Sequence, residues 1–313
     1  MGRIAIIDLG TNTFNLLIVE ISADKTYQLV FQNKISVKLG EGGINKGFIA
    51  PTAFNRGIDA LKIHKLTTEK HNVEKVIAIA TSAIRGASNG IEFITKAKED
   101  CNVDIQVISG DREAEIIYYG VRDAVKLSDE TSLIIDIGGG STEFIIANKN
   151  KIFWKQSFLL GVARLLEMFN PSDPITDKEI QAIYNYLNQE LKPLFKAVKK
   201  FPITELIGSS GSFDSLAEMV AHRFYSPHIF DGKTEFSFNL DDCAAVHQTI
   251  LRSTNAERLQ MKGLVAMRVD MIVISSILVH FIIKSFSIPK MRLSTYSLKE
   301  GILSEIINSK ITV

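Results

Sequence analysis

Short apolar runs broken by polar turns alternate along the first half of the chain with stretches in which apolar residues recur every three to four positions. Ile4 to Asp8 reads as a buried strand, Gln28 to Lys38 as strand-rich, Ala53 to His71 as helix and Val76 to Ala80 as strand. Gly90 to Glu99 follows as helix, Ile105 to Ile108 as strand and Arg112 to Val125 as helix, an α/β pattern. Further on, Lys151 to Phe158 reads as strand, Gly161 to Phe169 as helix, and Asp177 to Lys200 as one long amphipathic helix opened by the cap-like Thr176. A strand at Glu205 to Ile207 leads into a helix at Phe213 to Met219, and the remainder reads as mainly helical. The loop around Pro227 to Phe236 is the best candidate for a mobile excursion. Met271 to Ile283, the most hydrophobic stretch, is shorter than the roughly 18 residues of a spanning helix and is bracketed by Arg268, Asp270 and Lys284, so it predicts a buried core helix.

One pattern occurs twice. Ile4-Ala5-Ile6-Ile7-Asp8-Leu9-Gly10-Thr11-Asn12-Thr13 is echoed by Leu133-Ile134-Ile135-Asp136-Ile137-Gly138-Gly139-Gly140-Ser141-Thr142-Glu143. Each is an apolar strand, an Asp, a small polar turn and a second apolar strand, which predicts a β-hairpin. Two copies more than a hundred residues apart point to two domains of related architecture.

A length of 313 residues accommodates two domains of about 150 each. Lys and Arg number 36 against 35 Asp and Glu, so no global field draws the chain to DNA, RNA or an anionic membrane. An anionic partner must therefore be held locally. Cys101 and Cys243 form no metal or redox motif. The N-terminus runs straight into a strand rather than a signal sequence, and the expected location is cytoplasmic.

The hairpin turns carry the candidate chemistry. Small residues let successive N–H groups form an anion nest, and an Asp at the strand end can hold Mg²⁺ beside a phosphate. A third turn, Gly208-Ser209-Ser210-Gly211-Ser212, lies between a strand and a helix N-terminus, a second kind of anion site, although a plain capped helix explains it as well. Arg85, just past a strand, could fork onto phosphate or simply be solvated. Glu113, in the first turn of its helix, reads by periodicity alone as a helix-dipole carboxylate. Lys192, Lys196, Lys199 and Lys200 read as a solvated face, with a track for a polyanionic chain as the minority alternative.

Four stretches in order, Ile6-Ile7-Asp8-Leu9-Gly10-Thr11-Asn12, Ala80-Thr81-Ser82-Ala83-Ile84-Arg85, Ile108-Ser109-Gly110 with Glu113-Ala114, and Asp136 to Glu143, resemble the exopolyphosphatase and guanosine pentaphosphate phosphohydrolase family. Leu39-Gly40-Glu41-Gly42 and the Gly208 turn extend the resemblance over nearly the whole chain. The resemblance implies an α/β protein of two ribonuclease-H-like, actin-like ATPase domains flanking a cleft, spanning 1–125 and 126–298, with the alternative open that helix 299–313 joins the first. It implies Mg²⁺-dependent hydrolysis of the terminal phosphate of polyphosphate, with pppGpp hydrolysis and a non-hydrolytic sensor as alternatives.

By the same resemblance Glu113 is the general base, Asp136 and Glu143 are Mg²⁺ ligands, and Arg85 with Gly138, Gly139, Gly140 and Ser141 clamps phosphate. Asp8, Thr11, Asn12 and Thr13 face them, and Ser209, Ser210, Gly211 and Ser212 add phosphate contacts. A homodimer is a family-based expectation. Departures from the family pattern are Ser297 and Lys299 in a segment that usually reads Gly-Leu-Arg-Glu-Gly, and Met267 where a Glu usually precedes Arg-x-Asp. The chain stops soon after Gly301, short of the helical extension of long members, so weak long-chain processivity is expected.

Overall fold

A computed structural model describes residues 2–308; positions 309–313 of the expected C-terminal helix lie outside the described residues. The chain divides into unit 1, Met1–Gly120 with Leu298–Val313, and unit 2, Val121–Ser297.

In unit 1, β1 (Arg3–Leu9), β2 (Thr13–Ile21) and β3 (Tyr27–Ser36) form an antiparallel meander. Next come α1 (Pro51–Lys70), β4 (Lys75–Ala80), the single turn α2 (Ser82–Arg85), α3 (Gly90–Cys101), β5 (Ile105–Val107) and α4 (Gly110–Ala124). The sheet order is β3-β2-β1-β4-β5, with β4 parallel to β1 and β5 parallel to β4, a ribonuclease-H-like arrangement. β1 is an unbroken apolar run from Ile4 to Ile7 because both its faces are covered there. Ala5, Ile7 and Leu9 join a core with Phe14 and Leu16 of β2, Leu61 of α1 and Phe93 of α3, while Ile4 and Ile6 on the opposite pleat are equally buried. The division between units falls inside α4, at Gly120/Val121, rather than after residue 125.

Unit 2 repeats the plan. β6 (Ser132–Ile137), β7 (Thr142–Ala147) and β8 (Ile152–Phe158) form a second meander, followed by α5 (Val162–Phe169), α6 (Asp177–Glu190) and α7 (Lys192–Lys200). The single long helix expected over Asp177 to Lys200 is two helices meeting at Leu191. Pro193 explains the break, since its ring lacks an N–H and collides with the carbonyl one turn back. Thr176 does cap α6, paired with Glu179 in a capping box. β9 (Glu205–Ser209), α8 (Ser210–Phe224), β10 (Glu235–Phe238), α9 (Leu240–Arg252), α10 (Asn255–Arg258), α11 (Ile272–Phe286) and β11 (Met291–Ser294) complete the unit.

The second sheet runs β8-β7-β6-β9-β11-β10; β9 and β11 continue parallel from β6, and β10 is an added antiparallel edge. The segment expected as a mobile excursion therefore ends in a paired strand at Glu235 and Phe236, after hydrogen-bonded turns at Ile229, Asp231 and Lys233. α11 is buried along most of its length, against a core that includes Phe213 and Leu216 of α8. Among the described residues no helix is long and apolar enough to cross a membrane.

The chain returns to unit 1 as α12 (Leu298–Ile307), which packs on β1. A Cβ at Gly301 would lie 1.9 Å from the Ile116 carbonyl oxygen, so only glycine lets α12 and α4 approach so closely. Glu305, 2% exposed, takes a 2.6 Å ion pair from Arg112 of α4 across the same contact.

Candidate active site

The two hairpins are the same structure built twice. In each, the glycine after the Asp donates to a carbonyl three residues on, Gly10 to Thr13 and Gly138 to Ser141, both at 3.1 Å. Around the unit 2 turn, Val162 and Ala163 at the start of α5 donate to the carbonyls of Gly138 and Gly139, and the Arg164 side chain donates to that of Gly140. Because a trans peptide is planar with N–H opposed to C=O, the N–H groups of Gly139, Gly140 and Ser141 point away from α5. In unit 1 the carbonyls of Thr11 and Asn12 are likewise taken by the backbone N–H groups of Gly40, Val37 and Lys38, which turns the N–H groups of Asn12 and Thr13 outward. Each turn is thereby shaped to receive an anion.

The residues opposite the Asp differ. In the β6/β7 register Asp136 stands across from Glu143, and cross-strand partners project from one face of a sheet. Both are buried, at 6% and 1% exposure. In the β1/β2 register Asp8 stands across from Asn15, whose Nδ2 donates to Asp8 Oδ2 at 2.9 Å. Unit 2 thus carries a carboxylate pair where unit 1 carries a carboxylate and an amide.

Serine hydroxyls hold the unit 2 pair. Asp136 Oδ2 accepts from Ser209 Oγ at 2.6 Å and from Ser297 Oγ at 2.7 Å, and Glu143 Oε1 accepts from Ser157 Oγ at 2.6 Å. Asp136, Ser209 and Ser297 sit at or beyond the carboxyl ends of β6, β9 and β11, the end where open α/β sheets collect ligands. Ser157 faces Glu143 across the β7/β8 pair. Sequence reading missed Ser157, whose only signal is its place in a strand, and it noted Ser297 only as a departure.

At the β9–α8 corner Ser210 takes φ +64°, a left-handed conformation that costs a side-chain-bearing residue of order 1 kcal/mol, and its Oγ donates to the Ile137 carbonyl at 3.1 Å. Next to it, a Cβ at Gly211 would lie 1.4 Å from Arg268 Nη2, so the guanidinium of Arg268 lies directly on this turn. Burial, opposed only by the charge of Asp214, pushes the Arg268 pKa below its ordinary value. Arg268 is a cation at the third glycine turn that local sequence did not single out; Ser212 is buried in the first turn of α8.

In unit 1, Arg85 ends α2 beyond the tip of β4, and Glu113 occupies the first turn of α4 beyond β5. Arg85 Nη1 donates to Glu113 Oε2 at 3.0 Å and to the Ile108 carbonyl at 2.9 Å. The Glu113 side chain is 9% exposed and that of Arg85 23%, which leaves the guanidinium within reach of solvent. A carboxylate serving only the helix dipole needs no such partner; the structure joins two residues that sequence treated separately. Thr11 is buried, its methyl in the space a Cβ at Gly40 would occupy, while Asp8, Asn12 and Thr13 are half-buried.

A family profile described as the Ppx/GppA phosphatase family matches residues 17–310. The chain belongs to that family. The crystal structure of an exopolyphosphatase from Cytophaga hutchinsonii matches with a TM-score of 0.94 at 42% identity, covering 98% of both chains. The Aquifex aeolicus member of the Ppx/GppA family matches with a TM-score of 0.80 at 24% identity, covering 100% of this chain and 99% of that one, a likeness of fold alone. A Haemophilus influenzae protein named as a candidate exopolyphosphatase is 28% identical over 301 residues, which is 96% of this chain and 90% of that protein. The Ppx/GppA chain is accordingly a hydrolase-family protein with the actin-like ATPase fold of two ribonuclease-H-like units.

The residues of unit 2 suit Mg²⁺. Asp136 and Glu143 supply hard oxygen donors from one face, and the described hydrogen bonds to the Asp136 carboxylate both fall on Oδ2, leaving Oδ1 to a ligand. Among the described residues no three His, Cys, Asp or Glu side chains form a metal cage. Mg²⁺ beside phosphates is ordinarily held by one or two carboxylates, with waters and phosphate oxygens completing its shell.

Proposed function

We propose that this Ppx/GppA protein hydrolyses the terminal phosphoanhydride bond of inorganic polyphosphate. The observation that carries the reading is the buried Glu113 gripped by Arg85 at the carboxyl ends of β4 and β5. Phosphoryl transfer to water needs one group to orient the nucleophile, with the rest of the site devoted to positioning and neutralising charge. Glu113 takes the first role and accepts the proton as the water oxygen bonds to the terminal phosphorus and the bridging oxygen leaves. Arg85 directs its two described hydrogen bonds through Nη1, so Nε and Nη2 serve a phosphate oxygen.

Within unit 2 the N–H groups of Gly139 to Ser141 receive further phosphate oxygens, and Arg268 on the glycine turn before α8 adds a cation to the same task; within unit 1 the outward N–H groups of Asn12 and Thr13 offer an anion nest of their own. Asp136 and Glu143 would hold Mg²⁺, which supplies charge neutralisation on the phosphates. Polyphosphate is favoured over pppGpp because the Cytophaga and Haemophilus relatives are both named for exopolyphosphatase activity.

Phosphate release from polyphosphate, pppGpp and ATP with Mg²⁺ tests this directly. The wild type releases phosphate fastest from polyphosphate, and Glu113→Gln lowers kcat by roughly 10²–10⁴-fold with KM little changed. Faster release from pppGpp would reassign the substrate. Binding of both without release would make the protein a sensor, and full activity of Glu113→Gln would remove Glu113 from the mechanism.

A further inference from the structure

We infer that Ser297 is a positioning residue that aims Asp136 at the metal, an assignment resting on the Mg²⁺ reading of the site. Ser297 Oγ donates to Asp136 Oδ2 at 2.7 Å, alongside Ser209 Oγ on the same oxygen at 2.6 Å. Ser209 is fully buried at the tip of β9, directly in register with Asp136, so that donor belongs to the sheet. Ser297 lies on the turn between β11 and α12 and reaches the carboxylate from another direction in the chain.

That turn is itself fastened: Ser294 Oγ donates to the Tyr296 carbonyl at 2.7 Å and accepts from the Tyr296 N–H at 3.3 Å, which sets the course of the backbone just before Ser297. A carboxylate with one donor can still swing about its last torsion. With two donors from separate elements converging on Oδ2, rotation breaks both bonds, and Oδ1 is held as the outward oxygen.

Ser297 therefore acts through Asp136, as outer groups that orient metal ligands do. Mn²⁺ in place of Mg²⁺, followed by electron paramagnetic resonance on the full chain without substrate, reads the effect apart from turnover. Ser297→Ala and Ser297→Gly weaken Mn²⁺ binding by about tenfold. Ser297→Thr, which keeps the hydroxyl, restores most of the affinity, and Asp136→Asn abolishes it. Unchanged affinity in Ser297→Ala, with binding lost in Asp136→Asn, would overturn the role of Ser297 while sparing the metal site. Wild-type affinity in Asp136→Asn would overturn both.

Discussion

Asn15 stands opposite Asp8 in unit 1 as Glu143 stands opposite Asp136 in unit 2, so a duplicated hairpin carries a second carboxylate in only one copy. The copies share the turn hydrogen bond and the outward N–H groups but differ in charge. Unit 2 is therefore expected to govern the proposed dependence on Mg²⁺. Glu143→Gln raises the Mg²⁺ concentration for half-maximal phosphate release by about tenfold or more. Asn15→Ala, which removes the 2.9 Å bond to Asp8, leaves that concentration unchanged. A Mg²⁺ titration of initial rates separates the two.

The contact between Gly211 and Arg268 predicts a sharp response to one methyl group. Gly211→Ala places Cβ where the guanidinium lies and drives Arg268 off the turn. Misplacing a substrate-positioning group by about 1 Å can cost about 10²-fold, and a loss of that order in kcat/KM is expected with thermal stability little changed. Steady-state kinetics beside a melting curve checks it.

A buried ion network holds the other end of the second sheet. Arg292 donates to both Glu205 oxygens, at 2.9 and 2.5 Å, and to Glu235 at 2.8 Å, while Ser132 donates to Glu205 at 2.9 Å. Burial alone would raise the Glu205 carboxyl, but Arg292, helped by Ser132 and Lys290, outweighs it and holds the group below its ordinary range. Arg292→Met removes the buried cation, leaves Glu205 with only Ser132 and the exposed Lys290, and lowers stability by up to about 3–5 kcal/mol. Changing Glu205 to Leu in the same chain recovers much of that loss. Urea unfolding midpoints measure both.

His247 is expected to make the protein sensitive to acid. It is buried between α9 and α11, stacked on His280 with ring centroids 4.3 Å apart, with Nδ1 3.1 Å from Ser276 Oγ. Burial, then the charges of His280 and Lys284, lowers its pKa to about 4 from 6.5. Between those values the unfolded chain binds the proton that the folded one refuses. The contribution is therefore full above pH 6.5 and is lost as pH falls toward 4. Chemical unfolding at pH 7 and 4.5 is expected to differ by roughly 2–3 kcal/mol from this group, and His247→Leu flattens the difference.

Both Asp-bearing hairpins are legible in the sequence because β1 and β6 are buried on both faces, which writes them as unbroken apolar runs ending in Asp. The break at Leu191 is not, since the apolar periodicity continues through Pro193 and hides it. β10 and β11 are four residues each, too short for alternation to show between helices. The pairing of Arg85 with Glu113 links positions 28 apart, and that of Ser297 with Asp136 links positions 161 apart. Local patterns name such residues but do not join them. Arg268 escapes for the same reason, as its place on Gly211 exists only once the glycine turn and the segment before α11 are brought together.

Unit 1 is closed by α12, whose Gly301 and Glu305 meet Ile116 and Arg112 of α4 beside β1. In the chain β1 precedes α12 by close to three hundred residues. Unit 2, continuous from Val121 to Ser297, can finish folding while the pleat of β1 bearing Ile4 and Ile6 still waits for its helix. Until α12 is made, β1 thus lacks the helix that packs on it from the far end of the chain.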